Sequence, residues 1–527
     1  MPVTSTVSRV QALAASWRAD DFTLEPVTAE IGAGRLIAII GPSGAGKTTL
    51  LELLAGVRTP TRGQVTQPPE VGFVPQDDIV HTHLPLRRTL SYAARLRGEY
   101  DAAVVGEVLD TLGLTPRAGA TVATLSGGER KRASIAVELL AKPDVLFLDE
   151  PTSGLDPATG RDLLRHLRSL VDAGNTVVLT THTPSDIGLC DEVFVLAGGR
   201  LVFAGAPDAV LEHFGATTAE EVYDRLAGDL PEWSPGAVVF EPPRPVPERK
   251  RPAGPRQWWL LTARSVELLA RNRLTLAILM GSPVVIALMF LMLFRPGAFD
   301  PARPSPSTTA MILFWIAFGG FFFGLTYGLS QICDEFAILR RERRAGLALL
   351  PYLLSKVAAL LPLLCLVDAL LLGLLAVTDR LPALDAAGNA RLFGTVALAS
   401  LCALTLGLLC ASAVNNPSQA ALTLPMLCFP QVLFVGAFLP VPVMADVGRW
   451  ASYAMSNRWA FEALGHTAGL PGLWRDGGSQ LGPPLLASYG DSFDHPLWAS
   501  WTILAGFAVL FAALAVLVLR RKAGPAR

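Results

Sequence analysis

A glycine-rich loop near the start of the chain has the residue types and the spacing to bind phosphate. GPSGAGKTT begins at Gly41 and directly follows the apolar run LIAII. In a Gly-x4-Gly-Lys-Thr loop, backbone N–H groups converge on phosphate oxygens, Lys47 adds a positive charge, and the Thr48 hydroxyl is a ligand for Mg²⁺. The helix expected from about Thr48 points its positive end at the same anion. This context favours a nucleotide phosphate site over a chance glycine turn.

Two adjacent acids, Asp149 and Glu150, close the apolar run LFLDE. An acid at the end of a buried strand beside a phosphate loop can hold the Mg²⁺ shell. A second acid next to it can orient or deprotonate the attacking water. The alternative is that this pair caps the start of a helix. Together with the phosphate loop, the two acids predict nucleotide hydrolysis.

The elements that must position these residues alternate along the first part of the chain. Short apolar runs such as LIAII (36–40), VLFLD (145–149) and TVVLTTH (176–182) are separated by helical patterns. Continuous apolar runs of this length are typical of strands buried on both faces, so we predict a mainly parallel sheet in an α/β domain over residues 1–228. Residues 229–255 contain EPPRPVPERKRPAGP and are predicted to be an extended proline-rich linker.

Composition excludes several classes of protein. The chain is 51% hydrophobic and 17% charged, below the ~25% charge of a typical soluble domain. A formal net charge of −1 gives no reason to expect a nucleic-acid partner. The six cysteines show no metal-ligand spacing and no framework of external disulfides. The first residues lack the pattern of a secretory signal, so we expect the first domain to stay in the cytoplasm.

The second part of the chain, residues 256–527, is predicted to be a transmembrane domain. It begins with a mixture of tryptophan, leucine and arginine over residues 256–273, which favours an amphipathic helix in the membrane interface over an ordinary surface helix. Arginines and lysines near the span ends predict both termini on the inner side. Prolines at 283, 425 and 430 predict kinks. Six runs are long enough to cross the bilayer, at residues 274–294, 308–330, 357–377, 392–414, 421–441 and 497–519.

Two long stretches of the chain resemble a known family. LSGGERKRASIAVELLAKPDVLFLDEPTSGLDP and GFVPQDDIVHTHLPLRRTLSYAARLR are similar to the motifs of ATP-binding-cassette proteins of the G (white/multidrug-resistance) subfamily, in its half-transporter form. The order of the domains, with the nucleotide domain first, is also that of this subfamily. The resemblance implies an α/β P-loop ATPase domain followed by an all-α transmembrane domain of six spans, with ATP and Mg²⁺ as cofactors.

The resemblance assigns roles to individual residues of the nucleotide domain. Glu150 matches the catalytic base, His182 the switch histidine, and Gln76 a glutamine that meets Mg²⁺ and the membrane domain. Asp149 and Thr48 match the other Mg²⁺ ligands. The adenine-stacking aromatic is Trp17 or Phe22, and either ring could instead belong to the core. The D-loop is represented by Ser153 and Asp156, and the remaining ATP-binding positions are Gly41, Ser43, Gly44, Gly46, Lys47 and Thr49.

The signature residues Ser126, Gly127 and Gly128 imply a dimer. In this family they contact the γ-phosphate bound to the other subunit, and the glycines allow close backbone approach. One chain carries one phosphate loop and one signature, so two complete sites require a second chain related by a two-fold axis. The partner is a second copy of this chain or a paralogous half-transporter.

The resemblance also marks positions in the membrane domain. Glu342 and Gly346 match the coupling segment, although Leu347 and Ala348 stand where aromatic residues are usual. Alignment with a multidrug member of the family places four residues on a substrate path. One of the four, Phe438, lies beside Ala437 at a constriction. Asp368, inside the third span, receives no transport role; its other interpretation is pairing with a polar neighbour. The substrate-path residues are Phe323, Phe429, Val432 and Phe438.

The sequence therefore predicts an ATP-driven homodimeric exporter of an amphipathic or lipophilic molecule. The alternative is a non-transporting complex whose ATPase cycle regulates a membrane partner or lipid organisation. We expect a multi-pass protein of the plasma (inner) membrane, with the nucleotide domain and both termini cytoplasmic. Animal members of the family carry extracellular cysteines that this chain lacks, which favours a bacterial origin. The expected partners are the lipid bilayer and a lipophilic small molecule, and no nucleic acid.

Overall fold

A computed structural model describes residues 10–19, 21–98, 102–226, 233 and 252–524. Contacts divide the chain into two compact units, Met1–Arg251 and Pro252–Arg527. Most of the predicted linker lies outside the described residues. Within it, Trp233 packs against Phe203 of the first unit, with ring centroids 6.3 Å apart. The domain boundaries at 228 and 255 remain predictions.

The first unit holds two sheets, and the larger is mainly parallel as predicted. A six-stranded sheet has the order β5-β6-β7-β3-β8-β9, and only the β8–β9 pair is antiparallel. A three-stranded antiparallel sheet has the order β2-β1-β4. The strands are β1 (Val10–Ala19), β2 (Phe22–Ile31), β3 (Leu36–Ile40), β4 (Arg62–Thr66), β5 (Val71–Val74), β6 (Val145–Leu148), β7 (Thr176–Thr180), β8 (Glu192–Ala197) and β9 (Arg200–Gly205).

Helices cover the large sheet, and every residue of β3, β6 and β7 is buried. Their continuous apolar runs fit a sheet that packs on both faces. The carboxyl ends of β3, β6 and β7 lie side by side, so the residues that follow each strand meet at one sheet edge. The helices are α1 (Lys47–Leu54), α2 (Leu86–Leu96), α3 (Ala102–Thr111), α4 (Gly127–Leu139), α5 (Pro157–Asp172), α6 (Pro207–Phe214) and α7 (Ala219–Arg225).

The second unit is all helical within the described residues, which confirms the predicted fold class. Its first helix, α8, covers nearly the whole segment predicted to be amphipathic, and Asn272 separates it from α9. The helices are α8 (Gly254–Arg271), α9 (Arg273–Leu293), α10 (Pro306–Leu329), α11 (Phe336–Arg344), α12 (Leu349–Val377), α13 (Ala386–Ala413), α14 (Pro417–Leu433), α15 (Asp446–Tyr453), α16 (Ser456–Thr467), α17 (Leu470–Asp476), α18 (Gly482–Tyr489) and α19 (Leu497–Ala523).

Five of these helices, α9, α10, α12, α13 and α19, are long and apolar enough to cross a membrane. The predicted span at 421–441 is wrong at its end, because α14 has 17 residues and stops at Leu433. Gly436, with φ of 98°, follows in a non-helical turn. A span usually needs about 20 residues, so α14 is a short sixth candidate. Pro425 and Pro430 lie inside it.

The buried acid of the third span has a polar partner. The Ser400 hydroxyl on α13 donates a 2.8 Å hydrogen bond to Asp368 Oδ2 on α12, and a 3.1 Å contact joins the same hydroxyl to the Gly320 carbonyl on α10. Asp368 is fully buried. The contact agrees with the interpretation that Asp368 pairs with a neighbour inside the helix bundle.

The α10 glycines that let this helix approach α13 closely are spaced four residues apart: Gly320, Gly324 and Gly328. A Cβ at Gly324 would lie 2.2 Å from the Ser400 carbonyl oxygen, and one at Gly328 would lie 2.6 Å from that of Leu404. The approach is reciprocal, since a Cβ at Gly407 of α13 would lie 2.6 Å from the Leu325 carbonyl oxygen. Small residues at such a contact replace the missing hydrophobic driving force with close packing.

We therefore expect Gly324→Ala to destabilise the membrane unit by about 1–3 kcal/mol, because the added methyl has to push two backbones apart. The control is Gly373→Ala in α12, where nothing lies within 4 Å of the position of a Cβ. The apparent melting temperature of the purified full chain in detergent would fall for the first variant only. Equal melting temperatures for the two variants would contradict close α10–α13 packing.

Candidate nucleotide-binding and hydrolysis site

The phosphate loop follows β3 in a conformation that only glycine adopts easily. Gly41 has φ of 149°, and a Cβ on it would lie 2.2 Å from the Leu196 carbonyl oxygen. Gly46 has φ of 97° at the start of α1. Ser43 and Gly44 are exposed on the open side of the loop, as expected for groups that meet a ligand.

Lys47 is buried inside its own loop. Its Nζ donates hydrogen bonds of 2.9 Å and 3.1 Å to the carbonyl oxygens of Gly41 and Pro42. Burial lowers the pKa of Lys47, while the nearby charges of Glu150 and Asp149 raise it in part. The two carbonyls hold the ammonium group at the loop, where it can bind a phosphate.

Asp149 forms the oxygen-rich centre of the site. It is 5% exposed, and its Oδ1 accepts a 3.0 Å hydrogen bond from the Thr48 hydroxyl of α1 and a 2.7 Å bond from the Thr180 hydroxyl of β7. One carboxylate and a neighbouring hydroxyl fit Mg²⁺, which binds hard oxygens and is usually held by one or two carboxylates together with substrate phosphates. Thr49, next to Thr48, is half-buried in the same helix turn.

Glu150 stands between two polar side chains at the same edge. Gln76 Nε2 donates to its Oε2 at 3.2 Å, and His182 Nδ1 lies 3.5 Å from that oxygen. Its backbone has φ of 43°, and its N–H donates to the Thr180 hydroxyl at 2.8 Å. Neither Glu150 nor its neighbour caps a helix, since α5 begins at Pro157 and Asp156 is its cap. A carboxylate placed in this way can orient a water molecule.

The signature residues lie at the start of α4 and bond within their own cap. The Ser126 hydroxyl accepts from the Glu129 N–H at 3.3 Å, and Glu129 Oε2 accepts from the Ser126 N–H at 2.9 Å. Arg117 and the Ser126 N–H hold the pKa of Glu129 below its usual range. A Cβ at Gly128 would lie 2.3 Å from the Thr159 methyl group, so a larger residue there would have to displace that side chain. Ser126 and Gly127 stay exposed at a helix N-terminus.

The D-loop is fixed at both ends. Ser153 donates its backbone N–H to the Glu150 carbonyl at 3.1 Å. At the other end, Asp156 Oδ1 accepts from the N–H groups of Ala158 and Thr159 at 3.1 Å and 3.0 Å. Hydrogen bonds from Thr159 hold the pKa of Asp156 below its usual range. The D-loop therefore connects Glu150, just after β6, directly to α5.

The two candidate adenine-stacking rings have different surroundings. Phe22 packs behind the phosphate loop, since a Cβ at Gly46 would lie 2.6 Å from its ring. Trp17 is half-buried on β1, and the Arg58 guanidinium lies 4.5 Å from its ring centroid. Phe22 thus serves loop packing. Stacking on the base stays a prediction for Trp17.

Sequence reasoning missed two residues that hold the site together. Thr180 joins Asp149 to the backbone of Glu150 through one hydroxyl. Lys131 of α4 donates to the Gln76 carbonyl and pairs with Asp78 at 3.0 Å, so it ties the signature helix to the segment that carries Gln76. The threonine that ends a buried strand was a usable signal, but the role of Lys131 depends on how α4 packs.

The predicted coupling residues form a buried polar cluster inside the second unit. Glu342 of α11 accepts from Arg264 of α8, with Nη2–Oε2 at 3.0 Å. Burial opposes the charge on Arg264, but Glu342 holds the pKa of Arg264 above its ordinary value. Gly346 has φ of 97° and ends α11, and Gln257 bonds both its carbonyl oxygen and the Ala348 N–H at 3.4 Å and 2.9 Å.

The predicted substrate-path residues differ in accessibility. Phe429 and Phe438 are 67% and 56% exposed, and Val432 is half-buried. Phe323 is 1% exposed, because the helix bundle covers it, so it does not reach the protomer surface in this conformation. The neighbouring Phe322 is partly exposed instead. A ligand contact by Phe323 would require a different conformation.

We expect Glu150→Gln to retain ATP binding and to lower ATPase turnover by at least about 100-fold, because the amide keeps the contacts with Gln76 but is a poor base. Lys47→Ala should instead weaken binding itself, because it removes the buried positive charge. Binding of a fluorescent ATP analogue and phosphate release would be measured on the same preparations. A normal turnover rate for Glu150→Gln would contradict the role of this carboxylate.

Comparisons with known proteins agree with both units. Residues 24–153 match the ABC transporter family model, and residues 256–467 match the ABC-2 type transporter model. An ABC transporter ATP-binding/permease protein of Mycobacterium tuberculosis is 32% identical over 86% of this chain and 56% of its own length. ABC transporter G family member 7 of Arabidopsis thaliana is 30% identical over 84% of this chain and 70% of its own length.

Thus the chain spans about half of the mycobacterial relative and more than two thirds of the plant one. A further relative, ABC transporter G family member 21 of Arabidopsis thaliana, is 40% identical over 37% of this chain and 32% of its own length. The first unit is an ABC-type ATPase domain that binds nucleotide, and the second is an ABC-2 type membrane domain. The chain therefore belongs to the G family of ABC transporters.

Proposed function

We propose that this protein is an ATP-driven homodimeric exporter of an amphipathic or lipophilic molecule. The observation that carries this proposal is the edge where Glu150 stands between Gln76 and His182, next to the hydroxyl–carboxylate pair of Thr48 and Asp149. This set has the parts needed to hold a nucleotide phosphate and to direct water at it. The membrane helices that follow in the same chain are the part of the protein whose movement ATP hydrolysis would drive.

In the proposed reaction the residues of one chain share the work. Lys47 and the loop amides bind the β- and γ-phosphates, and Glu150 orients the attacking water and accepts its proton. Thr48, Asp149 and Gln76 would hold Mg²⁺, which neutralises phosphate charge when bound. Thr180 keeps Asp149 and Glu150 in register by bonding both. We propose that His182, whose Nδ1 lies 3.5 Å from Glu150 Oε2, senses the γ-phosphate.

The exposed signature supports the dimer. Ser126 and Gly127 satisfy their own helix cap and still present a helix N-terminus to solvent. Such a terminus attracts an anion. We propose that it meets the ATP held by the phosphate loop of a second copy. Closure around two ATP molecules then supplies work through the difference in affinity between the open and closed states.

The proposed cargo follows from the exposed apolar side chains of α14. Leu422, Met426, Phe429 and Leu433 are all exposed and follow one another at intervals of three or four residues, so they form one stripe along the helix. Phe438, which follows α14, is also exposed and packs edge-on against Phe314, with centroids 5.0 Å apart. Aromatic faces provide large apolar contacts with little loss of rotamer freedom, which suits a flat lipophilic molecule.

We propose that the α8–α11 cluster transmits closure to the spans. The buried ion pair of Arg264 and Glu342 fixes α11 against α8, and Gln257 fixes the turn that leads into α12. Removing one partner of a buried pair leaves an uncompensated charge. Because breaking this pair is costly, we propose that α8 and α11 move together, which is the property that a coupling element requires. We also propose that the protein lies in the plasma membrane of a bacterium, with the nucleotide domain and both termini in the cytoplasm.

Mixed dimers test the sharing of sites. Ser126→Arg should block the signature, and Lys47→Ala should block the loop, so each variant alone is inactive. When the two chains are co-expressed with different affinity tags, the doubly purified dimer carries one intact site, and we expect up to about half of the wild-type ATPase rate.

The control is the double variant Ser126→Arg/Lys47→Ala co-expressed with the wild type, which leaves no site with both elements intact. Binding of two nucleotides per dimer would be measured in parallel. If the mixed dimer is no more active than the control, the signature does not act across subunits.

Vesicles test transport itself. Purified chain in liposomes, with the nucleotide domains facing outward, should take up fluorescent lipophilic dyes when ATP is added, and Glu150→Gln should abolish uptake. The variant Phe429→Ala should lose dye-stimulated ATPase while keeping the basal rate, because Phe429 is 67% exposed and only an exposed aromatic contact is removed.

Leu510→Ala on α19 is the matched control, since Leu510 is also half-exposed in a spanning helix. Phe323→Ala and Phe322→Ala would show whether a buried or a partly exposed ring matters. ATPase activity without uptake of any dye in the panel would favour the alternative, a complex that regulates a membrane partner.

A further inference from the structure

A cavity at one end of the helix bundle collects positive charge and indole rings. It has a volume of about 400 Å³, within the range of small-ligand sites. It lies between the second turn of α13, the start of α19 and the end of α16. Its lining residues are Arg391, His466, Thr467, Leu497, Trp498 and Trp501.

No acid is among these six lining residues. Arg391 is exposed in the second turn of α13, and within the described part of the chain its guanidinium makes no ion pair or side-chain hydrogen bond. A cation without a counter-charge at the end of a spanning helix favours an incoming anion. The planar guanidinium matches a phosphate group with two donors.

Two further groups add donors to the same cavity. α19 starts at Leu497 after Pro496 without a side-chain cap, and Leu497 and Trp498 line the cavity, so the positive end of the helix dipole lies beside it. His466 Nδ1 donates to the Phe493 carbonyl at 2.9 Å, so the proton of the neutral ring is on this nitrogen. A protonated ring would also donate from Nε2. Arg391 and the first turn of α19 therefore supply the donors toward an anion.

The other wall of the cavity is apolar and belongs to a membrane interface. Trp498 is 70% exposed at the start of α19, and Trp501 lies one turn further on. The Trp501 indole donates to the Thr395 hydroxyl on α13 at 2.9 Å, which fixes the wall between both helices. Tryptophans at the ends of spanning helices sit at the level of lipid headgroups. A free anion would gain nothing from these rings.

The cavity lies at the end of the bundle away from α8. Gln257 of α8 bonds the turn just before α12 begins, whereas α13 starts shortly after α12 ends at Val377. In the proposed orientation this end faces the outer leaflet. We propose that this cavity binds the phosphate of an outer-leaflet phospholipid, with Arg391 and the first turn of α19 on the phosphate and the two indoles along the start of its acyl chains.

The site can be tested on the purified full chain in detergent by native mass spectrometry. The added probes are dioleoylphosphatidylglycerol and dioleoylglycerol, which has the same chains without phosphate. We expect the wild type to retain the phospholipid in preference to dioleoylglycerol. Arg391→Ala should lower phospholipid retention roughly tenfold or more, because a charge-assisted contact is lost. Trp498→Ala should lower it as well.

The matched control is Arg303→Ala, which removes an exposed arginine from the loop before α10, outside this cavity. It should retain the phospholipid as the wild type does. Basal ATPase should be unchanged in all three variants, which shows that they are folded. If Arg391→Ala does not purify as a folded protein, Arg391→Gln and Trp498→Ala serve as the test pair.

Inorganic phosphate separates a lipid from a free anion. If the site takes a lipid phosphate, millimolar phosphate should not displace the bound phospholipid. Complete displacement by phosphate, or retention of dioleoylglycerol equal to that of the phospholipid, would overturn the proposal. Equal phospholipid retention by Arg391→Ala and the wild type would overturn it too.

Discussion

The hydroxyl of Thr180 is the interaction on which the catalytic edge depends. It donates to the buried carboxylate of Asp149 and accepts the N–H of Glu150, whose backbone has positive φ. A single small group thus fixes both acids: Asp149, the proposed metal ligand, and Glu150, the proposed base for water. A positive φ is costly for a non-glycine residue, and it persists only where surrounding bonds determine it. The parallel pairing of β6 and β7 delivers Thr180 to this position.

The membrane unit meets a different constraint, because its buried charges lack water. Several described charges there are paired: Arg264 with Glu342, Lys356 with Glu335, and Arg458 with Glu462. The Arg458 guanidinium also lies 4.3 Å from the Tyr453 ring centroid and bonds the Ser452 hydroxyl. Pairing of this kind specifies positions more than it stabilises them. Glycine contacts between α10 and α13 supply the close packing that polar pairs do not.

Much of the fold could be predicted because its signals are local. The apolar runs of β3, β6 and β7 and the loop after Gly41 identify the nucleotide unit, and long apolar runs identify five of the spans. What the sequence could not show depends on tertiary contacts. The end of α14 at Leu433 depends on the turn at Gly436, and the burial of Phe323 depends on the packing of the helices around α10. An aromatic residue on an apolar helix carries no sign of which face is covered.

Exposed polar groups indicate binding sites better than buried apolar ones do. Ser126 and Gly127 complete their own hydrogen bonds, and yet they leave a helix N-terminus uncovered. Arg391 and the uncapped start of α19 likewise present donors without an acid among the residues that line their cavity. In a folded chain, polar groups that remain available after internal bonding are the ones that can bind something else. The start of α4 and the cavity beside α19 are thus related by one principle: each presents donors for an anion that the chain itself does not provide.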